Sequence, residues 1–172
     1  MKKHSRTCSG FSLVEVALAL AIAAFCLLTL MALVPVGIQG YQQAGTQAAM
    51  VNLATMVERD LETTPTTGTC TSARFAIPIP SAGGTATPST SPVTFYTDIS
   101  GVQTPLGIGV NATSASIYRI SLFFTPPATA GQRTATMARI LITFPAGADS
   151  SFSAVPSKYT NMFQTTVALN RN

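Results

Sequence analysis

Histidine is almost missing from this chain, and charge is scarce. Of 172 residues only 9% are charged, and the one histidine is His4. The body therefore cannot build a Ser-His or Cys-His catalytic arrangement. A His-based zinc site is excluded for the same reason. Three cysteines occur, but Cys8 lies in the first ten residues and Cys26 inside an apolar run. Cys70 alone cannot form a thiolate cluster or a disulfide within the body. It is left as a buried residue, a quiet thiol, or a partner for another chain. No glycine-rich phosphate loop is present, because Gly107-Ile108-Gly109 lacks a following helix pattern and a basic residue. Asp98 and Asp149 could pair, or could hold calcium with loop carbonyls. Two isolated surface acids are the simpler reading. The chain thus reads as a non-enzyme with no catalytic residues, metal or cofactor.

The formal charge of +4 is unevenly placed, since Lys2, Lys3 and Arg6 all precede residue 11. The rest of the chain carries seven basic and six acidic side chains. A nucleic-acid face needs clustered Lys and Arg. Here Arg74, Arg119, Arg133, Arg139, Lys158 and Arg171 are widely spaced, which argues against nucleic acid as a partner.

What the chain has is a long apolar run. Phe11 to Val34 is 24 residues with Glu15 as its one charge, and no further charge occurs until Glu58. A helix of that length spans roughly 36 Å, enough for a bilayer core of about 30 Å. The basic residues before it place the N-terminus in the cytoplasm and the body across the membrane. An ordinary signal peptide would need a small-x-small cleavage site after the run. Ala17-Leu18-Ala19 and Ala21-Ile22-Ala23 sit inside the run instead. Cys26 follows Phe25, which is not a lipoprotein pattern. An uncleaved anchor would leave Glu15 without a role.

Gly10-Phe11-Ser12-Leu13-Val14-Glu15 resembles the class III signal of type IV prepilins and type II secretion pseudopilins. A short basic leader ends in Gly, a Phe-type residue follows, then a small residue, Leu and an aliphatic residue lead to Glu, and an apolar helix continues. The resemblance covers about the first fifth of the chain, to Gly37. The Val34-Pro35-Val36-Gly37 ending also resembles prepilin-like cassette proteins described in Verrucomicrobia. The family implies a prepilin peptidase that cuts between Gly10 and Phe11 and methylates the new Phe11 amine. Gly10 lets the backbone enter a tight protease site. The family further implies that Glu15 pairs with the Phe11 amine of an adjacent subunit during assembly. A lone carboxylate in lipid costs on the order of 2.5–3.5 kcal/mol, which such a cation offsets. The plainer alternative is a headgroup-level acid at a helix N-terminus.

Pro35 lacks an N–H, and Gly37 and Gly40 weaken the helix, so a kink or a short melted segment is expected there. From Ile38 to Leu61 the helix pattern resumes. Met50, Leu53, Ala54, Val57 and Leu61 share one face. Pro65 is expected to stop the helix. Segments 64–71 and 78–92 read as loops rich in Thr, Ser, Gly and Pro. Strand candidates are Arg74–Ile77, Val93–Thr97, Ile117–Phe124, Thr136–Phe144 and Phe163–Leu169. TPPATAGQR reads as a hairpin loop between the third and fourth of them.

These patterns predict an α+β chain, with a long N-terminal helix whose second half packs on an antiparallel sheet. The expected organisation is a leader at 1–10, a transmembrane assembly helix at 11–37, an amphipathic helix at 38–63 and an extracytoplasmic β domain at 64–172. The expected function is a pilin-like structural subunit, a minor pilin or pseudopilin. Its partners would be a prepilin peptidase, other pilin or pseudopilin subunits and the bacterial cytoplasmic membrane, crossed once. From there it would pass into a periplasmic or extracellular filament. The alternatives are a single-pass anchored binding module, and an adhesion or DNA-uptake pilin with a ligand face.

Overall fold

The computed structural model describes residues 12–65, 70–80, 91–125, 135–148 and 158–170. Gly10 and Phe11, with the rest of the leader, lie outside these residues, as do Asp149 and most of the TPPATAGQR loop. One helix, α1, runs from Leu13 to Glu62. Four strands follow: β1 at Val93–Thr97, β2 at Tyr118–Thr125, β3 at Thr136–Phe144 and β4 at Asn161–Leu169. The chain divides into two compact units between Gln43 and Ala44.

The first unit is the N-terminal part of α1. Every described residue in it is exposed, including Leu18, Ile22, Phe25 and Leu30. The helix is unbroken through Pro35 and Gly37, so no melted segment forms there. Intrahelical bonds on both sides hold the helix through the one carbonyl, that of Met31, that Pro35 leaves without its amide donor.

The second unit is α+β. Its four strands form one antiparallel sheet in the order β1-β2-β3-β4. Phe95, Ile120, Ile142 and Phe163 stand side by side across it. Period-two alternation brings Tyr118, Leu122, Phe124, Ala138, Ile140, Val167 and Leu169 to the same face. Met50, Leu53, Ala54, Val57 and Leu61 of α1 recur at helical spacing and close a core against this face. Sheet and helix patterns thus meet as expected.

Two features depart from the sequence reading, and a third lies outside it. Arg74–Ile77 is not a strand. It forms a turn closed by a single bridge between Thr71 and Pro78, with Ala76 at φ 53°. The cause is Asp60 on α1, only 7% exposed, whose two carboxylate oxygens accept the N–H groups of Arg74 and Phe75 at 2.9 and 3.1 Å. The Ser72 hydroxyl accepts the Ile77 N–H at 3.0 Å. The turn then drives Phe75 into the core, stacked on Phe95 with ring centroids 5.0 Å apart.

The feature outside that reading is the other sheet face. Thr94, Tyr96, Arg119, Ser121, Phe123, Leu141 and Thr143 are also buried, so β2 is covered on both sides. The second departure is in strand bounds: β4 begins two residues before the expected Phe163, and β2 runs one residue later than the expected Ile117–Phe124.

The loop after β1 is tied to α1 by close approach. Asp98 Oδ1 accepts the N–H groups of Ser100 and Val102 at 2.8 and 2.9 Å, which folds the loop tightly. Gly101 adopts φ +76°, and a Cβ there would come within 2.9 Å of Leu53 Cδ2. Only glycine meets both demands without strain.

Asp60 makes a direct stability prediction. Asp60→Ala strands two amide donors in a mostly buried site and is expected to cost about 3 kcal/mol. Asp60→Asn keeps one acceptor oxygen and is expected to lose about half as much. Urea unfolding of the two variants against the parent reads this order. Equal stability of all three would remove Asp60 from the account.

Burial also pushes the Tyr118 phenol above its ordinary 10.0. Its neutral form is favoured in the fold, so its contribution is complete below pH 10 and is lost as pH rises through the raised value. A melting temperature that falls above pH 10, less steeply in Tyr118→Phe, is the expected result.

Candidate membrane-spanning and assembly segment

The candidate site is the first part of α1, and its start is built by local chemistry. The Ser12 carbonyl accepts the N–H groups of Glu15 and Val16 at 3.0 and 3.2 Å, which opens the helix. Ser12 thus stands at the N-cap position and Glu15 three residues on, in the first turn. This is the Ser-x-x-Glu spacing that suits orphan amide donors at a helix start. A carboxylate there also faces the positive end of the helix dipole. The Glu15 side chain is exposed. It is free of protein cover and able to meet a cation on another molecule.

Beyond Glu15, α1 is long and apolar enough to cross a membrane, and none of its most apolar window is buried. The intrahelical ladder leaves few backbone groups to satisfy in a bilayer. The Thr29 hydroxyl donates to the Cys26 carbonyl at 2.8 Å, so this polar side chain carries its own partner into an apolar setting. Leu13, Leu20, Phe25, Leu28, Met31 and Leu33 are all more than 60% exposed. Apolar side chains at such density require lipid or other protein around them.

Other positions raised by the sequence have local roles. Asp98 is occupied by the backbone amides of its own loop. Gly107 and Gly109 have positive φ values of 118° and 72°, and serve a turn. The Gly107 carbonyl accepts the Gln103 side-chain amide at 2.8 Å. Cys70 is half-buried, and its carbonyl accepts the Ile79 N–H at 2.8 Å. Among the described residues no group of three His, Cys, Asp or Glu side chains converges for a metal ion.

One cleft of about 260 Å³ lies between the end of α1 and the end of β4, lined by Leu61, Glu62, Thr64, Ala168, Leu169 and Asn170. Among the described residues that line it, Glu62 is the single ionisable side chain and has no acid–base partner. Sequence reasoning missed Asp60 as a structural acid, although its place on the α1 core face, three residues after Val57, was a usable signal. No family model matches this chain, and no curated protein or solved structure matches it either.

Proposed function

We propose that the chain is a pilin-like structural subunit of a type IV pilus or a type II secretion pseudopilus, and not an enzyme. The observation that carries this reading is Glu15. It is the one charge in α1 before Glu58, it sits in the first turn, and it follows a Gly-Phe junction. A prepilin peptidase at the cytoplasmic membrane face cuts between Gly10 and Phe11 and methylates the Phe11 amine. That cut removes the leader's charge and leaves the apolar helix whole.

The processed subunit is held in the membrane by α1, with the β domain on the far side. Assembly exchanges lipid contact for helix contact. An apolar helix slides against its neighbours with little preference for register. A carboxylate that must find the Phe11 amine of the adjacent subunit selects one register, because the unpaired charge is costly in that setting. Pro35 and Gly37 mark where the helix can bend as it leaves lipid.

The test is recovery of the processed chain in sheared filaments, or cross-linked to other subunits through α1. A chain that stays monomeric in the membrane with all assembly partners present would favour an anchored binding module. A pilin with an adhesive or DNA-binding face is the other rival, and ligand binding by fragment 39–172 would favour it. That fragment is expected to fold in water without the span, since the second unit has its own core. Circular dichroism should show helix and sheet together. A fragment unfolded in water would mean that the core needs a partner.

A further inference from the structure

The sheet face turned away from the α1 core is covered on one half and open on the other. On β1 and β2 its residues Tyr96, Arg119, Ser121 and Phe123 are buried. On β4 its residues Met162, Gln164, Thr166 and Ala168 are all exposed. The boundary runs along β3, where Leu141 and Thr143 are buried while Met137 and Arg139 are exposed. Strand pairing sets Arg139 between Phe123 on β2 and Thr166 on β4.

The open half has a composition of its own. Met137 and Met162 remain 41% and 48% exposed. They stand near opposite ends of the patch, since Met162 lies opposite Thr143. That separation is six residues of strand, or about 20 Å. Arg139 is the one charged residue on this half-face, and neither Lys nor an acid accompanies it. Methionine and arginine are enriched where proteins meet, whereas lysine and acids are depleted there. Methionine side chains also repack readily around a partner.

Arg139 is prepared for a directed contact. Its guanidinium lies over the Phe123 ring, 4.3 Å from the centroid. A guanidinium held on a ring is oriented while its N–H groups stay able to grip a planar anion. Among the described residues no carboxylate pairs with it.

We propose that this open half-face docks a segment of another protein that carries a carboxylate flanked by apolar side chains. The carboxylate pairs with the Arg139 guanidinium, and the apolar side chains cover Met137 and Met162. Charge selects this occupant. A second copy docked through the same patch about a two-fold would bring another Arg139 and no acid, so neither guanidinium would gain a counter-charge. Nucleic acid would find one cation where it needs a cluster. Every residue involved belongs to the second unit, so the surface stands whether or not the chain is anchored.

The experiment uses the full chain, one copy per nanodisc, labelled at the methionine methyl groups for NMR. The probe is the capped peptide LTETTTL, whose acid and end residues are spaced along an extended chain as Arg139, Met137 and Met162 are along the strands. LTQTTTL is the neutral control. The acidic peptide should shift the Met137 and Met162 signals and leave that of buried Met50 in place. It should bind about fivefold tighter than the control, and added salt should narrow the gap. Arg139→Gln should abolish the difference. Arg139→Lys should lose most of it, because an ammonium cannot make the paired bonds.

If Arg139→Gln impairs folding, the two peptides on the parent chain still decide. Equal affinity for both, or shifts that miss Met137 and Met162, would overturn the proposal. So would shifts of both signals without peptide in discs holding two copies, since a second copy would then occupy the surface. None of these results bears on cutting at Gly10, so the subunit reading stands or falls separately.

Discussion

Glu15→Leu is expected to insert and be cut like the parent, yet to be lost from filaments. Removing an acid makes the span more apolar, so insertion improves if it changes at all. The Gly10–Phe11 bond, the proposed cleavage site, is untouched. On the proposed pairing, what changes is the partner for the Phe11 amine, which would be buried among helices without a counter-charge. Breaking a buried pair by removing one member typically costs about 3–5 kcal/mol, or a factor of a hundred or more in incorporation. Glu15→Gln keeps the shape and hydrogen-bonding capacity of the side chain but not its charge. It should fail in the same direction.

The N-cap reading separates from the pairing reading at this point. A helix-start role for Glu15 would leave Glu15→Gln close to the parent, because Gln also serves at the third position of a capping box. The measurement is paired: processed protein in the membrane, and the same protein in sheared filaments. Both variants cut and assembled like the parent would reduce Glu15 to a headgroup-level acid.

The second large effect is at the junction itself. Gly10→Val is expected to abolish cutting. A β-branched side chain stiffens the backbone and fills space where the protease needs a close approach. The uncut chain keeps Lys2, Lys3 and Arg6, the charges that set the proposed orientation, so orientation in the membrane should be unchanged. It should remain in the membrane about 1 kDa heavier and be absent from filaments, because its Phe11 nitrogen is still an amide. Gly10→Ala adds only a methyl group and should be cut slowly. Normal cutting of Gly10→Val would remove the peptidase from the account.

Where the sequence was legible, a single periodicity decided the element. Val93–Thr97 and Thr136–Phe144 have the expected bounds because β-branched and aromatic residues alternate between turn-rich flanks. The α1 core face was equally plain, as Met50, Leu53, Ala54, Val57 and Leu61 have no competing pattern. Arg74–Ile77 was misread because Phe75 and Ile77 look like a strand face, while the turn is imposed by Asp60, fourteen residues earlier. A contact of that kind leaves no local periodicity.

The start of β4 was missed because Asn161 and Met162 carry little strand preference, and pairing with Phe144 and Thr143 holds them. The second buried face of the sheet was hidden for a related reason. Arg119, Ser121 and Thr143 are polar by type, and only tertiary cover makes them interior. At the site, Glu15 in the first turn followed from its position at the head of the apolar run. Continuity through Pro35 did not, since local propensity there is outweighed by the helix on both sides.

The subunit reading turns most directly on where the mature chain begins. Mass spectrometry of the intact protein extracted from its native membrane measures this in one step. The account predicts a first residue of Phe11 bearing one methyl group on its amine. A chain that retains Met1 to Gly10, or one that starts within Ala19–Ala24, would contradict it.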